Sequence, residues 1–335
     1  GKLLWKRETG AIARDLQISG GLAYALVQDV VAGSRGNRLI AVDVYRGVDV
    51  WSVTLPRSDY RNLQPWGDRL LLRQVRYDRS GARGELLVFD AFDGRRRHTL
   101  PVPLQVDTPP VVAGNLWCVA GTSDGRSKRV LTAFDLDAGE VRWKRELEGR
   151  FMVGALVRDG ANLLLLQQDG TLATHALKDG ALLHQTRVYV GEGGNARPFP
   201  SSPMLAGGQR VTFIPWVRKP SLSVVCYDRK TGKLQWEAPY APGLVLSKAA
   251  LVDSGGLLVA MIAYRKDGTQ RILLRLLDRK SGEIVQTIEP DALSKDNWVP
   301  SLHAGYGTVV LYGKTGASIL RGRAQAEAPA KKAVR

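Results

Sequence analysis

The sequence predicts an all-β fold, a seven-bladed β-propeller of four-stranded antiparallel blades closed by its N-terminal strand, and three observations predict it. The first is a recurring figure, seen in full as Ala133-Phe134-Asp135-Leu136-Asp137-Ala138-Gly139-Glu140-Val141-Arg142-Trp143, in which an apolar run ends on Asp, a turn closes on Gly and a Trp follows four residues later. It returns as Asp43, Gly47, Trp51 and as Asp228, Gly232, Trp236, and with the aromatic replaced as Asp90, Gly94, His98 and Asp278, Gly282, Gln286. A weaker copy, Gly180 with His184, has Ala176 in place of the Asp, and Gly1 to Trp5 matches Gly232 to Trp236 without the part before the glycine. The second is the period: glycines 1, 47, 94, 139, 180, 232 and 282 are separated by 46, 47, 45, 41, 52 and 50 residues, near the length of one propeller blade. The third is that short apolar or alternating runs bounded by Gly, Asp, Asn or Pro fill every copy, while no window sustains a 3.6-residue period over a helix length.

Taken in order, residues 1–8 read as a lone outermost strand. The first repeat then runs through Ile12–Ile18, Leu22–Gln28, Arg38–Val44 and Val48–Leu55. The second uses Asn62–Pro65, Leu70–Tyr77, Glu85–Phe89 and Arg95–Leu100, and the third Thr108–Ala113, Leu116–Gly121, Val130–Phe134 and Val141–Glu146. The fourth spans Phe151–Val190, with Asn162–Gln168 and Thr171–Leu177 joined at Asp169-Gly170, a dipeptide whose central positions accept positive φ. Gly191 to Pro200 is expected to be an irregular surface loop. The fifth repeat uses Ser202–Ala206, Arg210–Trp216, Leu222–Tyr227 and Lys233–Glu237, and the sixth Lys248–Val252, Leu257–Tyr264, Arg271–Leu277 and Glu283–Ile288. Only three strands remain beyond them: Trp298–His303, Thr308–Tyr312 and Ala317–Leu320. The strand at residues 1–8 is expected to supply the missing fourth, which would remove two open sheet edges. One domain is therefore expected over residues 1–321, with 322–335 a flexible basic tail.

The chain has 335 residues, 48 Lys and Arg against 32 Asp and Glu, a formal charge of +16 and a pI near 10. Such a surface favours anionic partners: acidic protein, nucleic acid or lipid headgroup. In a propeller the loops joining second and third strands emerge on one face. They carry Arg35 and Arg38; Arg76, Arg79 and Arg83; Arg126, Lys128 and Arg129; Arg218 and Lys219; and Arg265 and Lys266. These twelve cations are the candidate binding face. The other face is also basic, with Arg95, Arg96, Arg97, Arg229, Lys230, Arg279 and Lys280 in its turns.

Residues that carry chemistry are scattered. His98, His175, His184 and His303 fall in four repeats without a His or Cys at metal-ligand spacing, and the repeat aspartates read as turn caps. Gly191-Glu192-Gly193-Gly194 lacks the following helix and Lys-Ser/Thr of a phosphate loop. Cys118 and Cys226 are expected to be buried free thiols in different repeats. No metal, cofactor or catalytic residue is therefore expected. No run of eighteen apolar residues is present, and a start at Gly1 with no signal-peptide pattern implies an upstream segment removed or left out.

The Asp-x-x-x-Gly-x-x-x-Trp figure resembles the PQQ-binding-like, or tryptophan-docking, β-propeller repeat over nearly the whole chain. The resemblance implies that Trp5, Trp51, Trp143 and Trp236 begin outer strands and dock on the neighbouring blade, and that the junctions of His98, His184 and Gln286 are less regular. Within that family the chain is similar in size and style to the periplasmic lipoprotein propeller of outer-membrane protein assembly, which has eight blades where this chain counts seven. Quinoprotein alcohol dehydrogenases share the repeat, but the family's adjacent cysteine pair has no counterpart here, since Cys118 and Cys226 stand 108 positions apart. The resulting expectation is a non-catalytic protein-interaction scaffold, a monomeric propeller within a complex, in cell-envelope protein assembly, with a periplasmic or envelope location favoured over the cytoplasm. Two alternatives accompany it: a basic-face module for nucleic acid or another polyanion, in which Tyr77, Trp216 and Tyr264 would be the stacking aromatics, and a sensor or interaction domain of a longer multidomain protein.

Overall fold

The repeat turn is a local consequence of its first residue. Asp135 Oδ1 accepts the backbone N–H of Asp137 at 2.9 Å and of Ala138 at 3.1 Å, while its carbonyl accepts Gly139 N–H at 2.9 Å. Gly139 stands at φ +70°, a left-handed conformation that glycine adopts without a Cβ penalty. Asp43, Asp90, Asp228 and Asp278 make the same pair of bonds, at 2.7–3.2 Å. The fourth repeat shows which part is indispensable. With Ala176 in place of Asp, Ala176 N–H still reaches Ala181 O at 2.8 Å and Gly180 N–H still reaches Ala176 O at 2.9 Å, with Gly180 at φ +72°. The glycine sets the turn, and the carboxylate caps it.

A computed structural model describes residues 11–29, 36–78, 81–122, 128–148, 152–188, 197–198, 204–213, 215–216, 223–239, 244–251, 256–264, 270–288, 301–305, 308–312 and 317–321. The strand predicted at residues 1–8 and the tail predicted at 322–335 lie outside the described residues. Every described element is a strand or turn, and no described helix is long and apolar enough to cross a membrane.

Consecutive strands pair into sequential sheets. The first sheet is β1 Ala11–Ser19, β2 Leu22–Asp29, β3 Asn37–Asp43 and β4 Asp49–Leu55; the second is β5 Asp59–Trp66, β6 Arg69–Asp78, β7 Gly81–Asp90 and β8 Arg96–Val102. The third comprises β10 Val111–Ala113, β11 Leu116–Thr122, β12 Arg129–Asp135 and β13 Glu140–Glu146, with the short β9 Gln105–Val106 pairing β11 beyond β10. The fourth is β14 Val153–Asp159, β15 Asn162–Gln167, β16 Thr171–Ala176 and β17 Leu182–Arg187. A two-stranded ribbon joins β18 Arg197–Pro198 to β21 Pro215–Trp216, so part of the expected irregular loop is paired, and the strand expected over Arg210–Trp216 is two strands. The fifth sheet is β19 Leu205–Gly207, β20 Arg210–Phe213, β22 Ser223–Asp228 and β23 Leu234–Pro239. The sixth is β24 Leu244–Leu251, β25 Gly256–Tyr264, β26 Gln270–Asp278 and β27 Ile284–Ile288, and β28 Ser301–Gly305, β29 Thr308–Tyr312 and β30 Ala317–Arg321 form a three-stranded sheet.

The chain divides into two compact units, Gly1–Leu163 with His175–Leu183 and Leu164–Thr174 with His184–Arg335. In the first unit the period of two along β6 splits its side chains between two cores. Leu70 and Leu72 join Tyr24, Leu26, Leu39 and Phe89 on one side, and Leu71 joins Leu86, Trp117, Val119 and Phe134 on the other. A strand covered on both faces reads as an uninterrupted apolar run, which is why the inner strands were visible in the sequence. The outermost strands are wet instead: in β13 only Trp143 is buried.

Candidate functional site

Each docking tryptophan is seated by the turn of the next repeat. The Trp51 indole N–H donates to Ala91 O at 3.0 Å, Trp143 to Leu177 O at 2.9 Å and Trp236 to Arg279 O at 3.1 Å. The ring lies on that turn's glycine: a Cβ on Gly94, Gly180 or Gly282 would stand 2.7, 2.6 or 2.5 Å from the Cε3 of Trp51, Trp143 or Trp236. His98 occupies the equivalent seat, since a Cβ on Gly139 would meet its Nδ1 at 2.8 Å, and His184 Nε2 lies 2.9 Å from Lys230 O. Trp5 lies outside the described residues, and Gln286 is exposed. Sequence reasoning missed Trp66, which donates to Gly114 O at 2.7 Å in the first hairpin of the next repeat; it belongs to no repeated figure.

At the opposite end of the sheets lie the predicted cations. Arg35, Arg79, Arg126, Arg218, Lys219, Arg265 and Lys266 are outside the described residues. The others divide into exposed and engaged groups. Arg76 and Arg83 are exposed and face one another across β6 and β7, beside Tyr77, which is 70% exposed. Arg38 is the second residue of β3 and is half-buried. Lys128 Nζ reaches both carboxylate oxygens of Glu146 at 3.0 Å in an exposed pair, the kind that contributes at most about 1 kcal/mol. Arg129 is held inside: its Nη1 donates to Asp107 Oδ1 and Thr122 Oγ1, both at 2.6 Å, and the Asp107 side chain is fully buried. Asp107 Oδ2 accepts Val153 N–H at 3.2 Å. Burial pushes the Asp107 carboxyl above its ordinary pKa, with that N–H and Arg129 pulling it back. Arg129 therefore fastens the linker after β9 to the third and fourth sheets, while Arg76 stands exposed at the end of the β6–β7 hairpin.

A further arginine, Arg73, was not singled out by sequence because it stands mid-strand. It is 5% exposed, its Nη2 donates to Leu104 O and its Nε has no partner; burial lowers its pKa. Between the first and second sheets a recess of about 440 Å³ is lined by Asp15, Gln28, Asn37, Ser58, Tyr60 and Asn62 among others. Asn62 stands at φ +58° where β5 bulges between Arg61 and Gln64, and the following N–H, of Leu63, donates to Asp15 Oδ2 at 3.0 Å. Bulges and left-handed non-glycine residues gather at functional sites. A second, more apolar recess lies between the second and third sheets.

The other candidate reactive groups are engaged in structure. Cys118 is a buried thiol whose pKa burial pushes up to about 12, and Cys226 is buried and raised for the same reason. His175 is buried with Nδ1 at 3.1 Å from Gly180 O, and burial lowers its pKa. Among the described residues no group of three His, Cys, Asp or Glu is arranged to hold a metal ion.

Residues 67–288 match the family described as outer membrane protein assembly factor BamB. Among solved structures, BamB from Moraxella catarrhalis aligns at a TM-score of 0.56 and 16% identity, covering 89% of this chain and 82% of that one. A europium-containing methanol dehydrogenase aligns at 0.58 and 12%, covering 92% and 72%. The quinohemoprotein alcohol dehydrogenase ADHIIG from Pseudomonas putida HK5 aligns at 0.59 and 13%, covering 95% and 66%. At such identities these alignments establish the fold, an all-β propeller type shared by assembly factors and enzymes. No curated protein matches the sequence.

Proposed function

The chain belongs to the family described as outer membrane protein assembly factor BamB, and on that premise we propose that it is a non-catalytic protein-interaction scaffold in cell-envelope protein assembly. The observation that carries the reading is the division of labour among its polar residues. The turn aspartates are spent on backbone N–H groups, His98, His175 and His184 on junctions and turns, and the cysteines are sealed in strands. Arg76 and Lys128 are exposed at the other end of the sheets, and recesses lie between adjacent sheets. Such a surface offers binding area on a rigid support. Its partner is a protein, and its place is the envelope.

The test is site-specific photocrosslinking in cells. A crosslinker at Tyr77 should capture one defined envelope protein, and one at Tyr45, exposed in a turn at the other end of its sheet, should not. Capture from Tyr45 alone, or quinone-dependent alcohol oxidation by the purified protein, would overturn the reading.

Arg76, exposed beside the 70% exposed Tyr77, favours a second reading, a polyanion site on a chain of formal charge +16, since such a surface attracts anionic partners. Binding to a labelled DNA duplex should then fall steeply with salt and weaken on Arg76→Glu. Failure to bind at low salt removes this reading and leaves the first intact.

A further inference from the structure

We propose that the recess between the first and second sheets is a guanidinium site, which seats the side chain of an arginine from a partner protein. This rests on the scaffold reading and specifies how such a partner is gripped. The recess lies within one compact unit and has a volume of about 440 Å³, inside the roughly 300–1,000 Å³ of ligand pockets.

Charge singles it out. On a chain of formal charge +16, the charged residues that line this recess are Asp15, Asp59 and Arg61. Asp59 and Arg61 pair with each other at 2.7 Å. They flank Tyr60, which packs into the core shared with the first sheet, so the period of two along β5 turns both of them away from that sheet. Asp15 is left as the charge between the sheets. It is half-buried; its Oδ1 accepts from the Gln17 amide at 3.2 Å and its Oδ2 from the Leu63 N–H at 3.0 Å. Among the described residues no cation pairs with it. A carboxylate offers about four acceptor sites, so about half of its capacity is open to a ligand. A charge drawn out of water without a counter-ion is costly, and an entering cation offsets that cost.

The polar groups beside Asp15 are held in place by the fold. Asn37 is 6% exposed, and its Nδ2 donates to the Ser58 carbonyl at 3.4 Å, which leaves its Oδ1 to accept. The Ser58 hydroxyl accepts from Gln74 at 2.7 Å, and the Tyr60 hydroxyl donates to Pro56 O at 2.8 Å, so this wall is fixed before a ligand arrives. Asn62, left-handed where β5 bulges, makes no side-chain hydrogen bond among the described residues. A guanidinium is a planar fork of N–H donors that matches a carboxylate and nearby amide oxygens together, whereas an ammonium is a point charge.

The probe is an acetylated, amidated peptide, Gly-Ser-Arg-Ser-Gly, titrated into the intact chain by calorimetry. The chain's net positive charge repels this probe from the rest of its surface. Replacing the Arg by citrulline, which keeps the shape and loses the charge, should weaken binding at least tenfold. Asp15→Asn, which keeps an oxygen for the Leu63 N–H, should weaken the Arg peptide tenfold or more and leave the citrulline peptide unchanged. Asn62→Asp adds a carboxylate at a side chain the fold does not use and should tighten the Arg peptide several-fold. Equal affinity for the Arg and citrulline peptides, wild-type binding by Asp15→Asn, or weaker binding by Asn62→Asp would overturn the proposal. Displacement of the peptide by an equal concentration of free arginine would overturn the assignment to a protein side chain. If the Arg peptide fails to bind wild type while the Tyr77 crosslink to an envelope protein is in place, the recess is not a guanidinium site and the scaffold reading stands.

Discussion

At one end of the sheets six described repeats close on a left-handed glycine at Gly47, Gly94, Gly139, Gly180, Gly232 and Gly282, while at the other the described residues include both the exposed Arg76 and the enclosed Arg129. In the turn that opens on Asp135 the carboxylate takes two N–H groups and the two side-chain N–H···O contacts of Asn115, and the next repeat's Trp seat is built from backbone and glycine. Within the strands stand the unpartnered hydroxyl of Thr132, the unpartnered Nε of Arg73 and a left-handed Asn62. Repetition marks what the fold needs, and departures from it are expected where function is.

Substitutions sharpen that contrast, and the largest effect belongs to the turn end. Trp143→Ala removes a buried ring and its bond to Leu177 O and should cost about 3–5 kcal/mol in urea unfolding; a loss below about 1 kcal/mol would mean that docking is decorative. Arg129→Met, at the other end, strands a buried carboxylate and should cost roughly 3 kcal/mol at neutral pH. The double substitution Arg129→Met with Asp107→Leu should recover most of it, identifying the single loss as an unpaired charge rather than lost packing. Asp135→Ala should cost about 1–2 kcal/mol for its lost hydrogen bonds, since the Ala176 turn stands without a carboxylate. Unfolding in the single variant as severe as that of Trp143→Ala would show the cap, not the glycine, to be the essential part.

The smallest and most diagnostic effect is in pH, because the two ends have opposite sign. Asp228 and Asp90 are held below the usual carboxylate range, Asp228 chiefly by the Thr231 N–H and hydroxyl and Asp90 chiefly by Arg97. Their contribution is present above the ordinary carboxylate pKa of about 3.9 and is lost as pH falls through the lowered native values. Asp107 is raised by burial, so its contribution is present below that ordinary value and lost as pH rises through the raised one. Stability of Arg129→Met should therefore approach wild type on acidification, and Asp228→Asn should flatten the acid limb of the wild-type curve. Parallel curves for the two variants would erase the distinction.

The turn end was legible in the sequence because its geometry is local: an Asp, a Gly four residues on and a Trp four beyond encode hydrogen bonds within one turn and a seat in the next. The strands between were legible from their double-sided burial. The departures have equally local causes. The predicted Asn62–Pro65 strand began too late because the bulge at Arg61 and Gln64 hides the alternation, and β9 is two residues long. The recess between the second and third sheets was not legible at all. Arg83, Val102, Thr132 and Lys144 are spread along the sequence and share no period, and only the packing of two sheets brings them to one cavity. The same holds for Arg129, read as a surface cation because Asp107 lies 22 positions away on a linker.

The turn glycine has a consequence for how the array comes apart. Gly94 closes its own turn and bears the ring of Trp51, and in the other unit Gly282 does the same for Trp236. One residue thus belongs at once to the loop that ends a repeat and to the surface that receives the one before, so fraying of a turn unseats its neighbour. Hydrogen exchange should register this as shared openings: the Trp51 side-chain N–H and the Gly94 backbone N–H should exchange with one rate constant, as nearest-neighbour coupling in a repeat array requires.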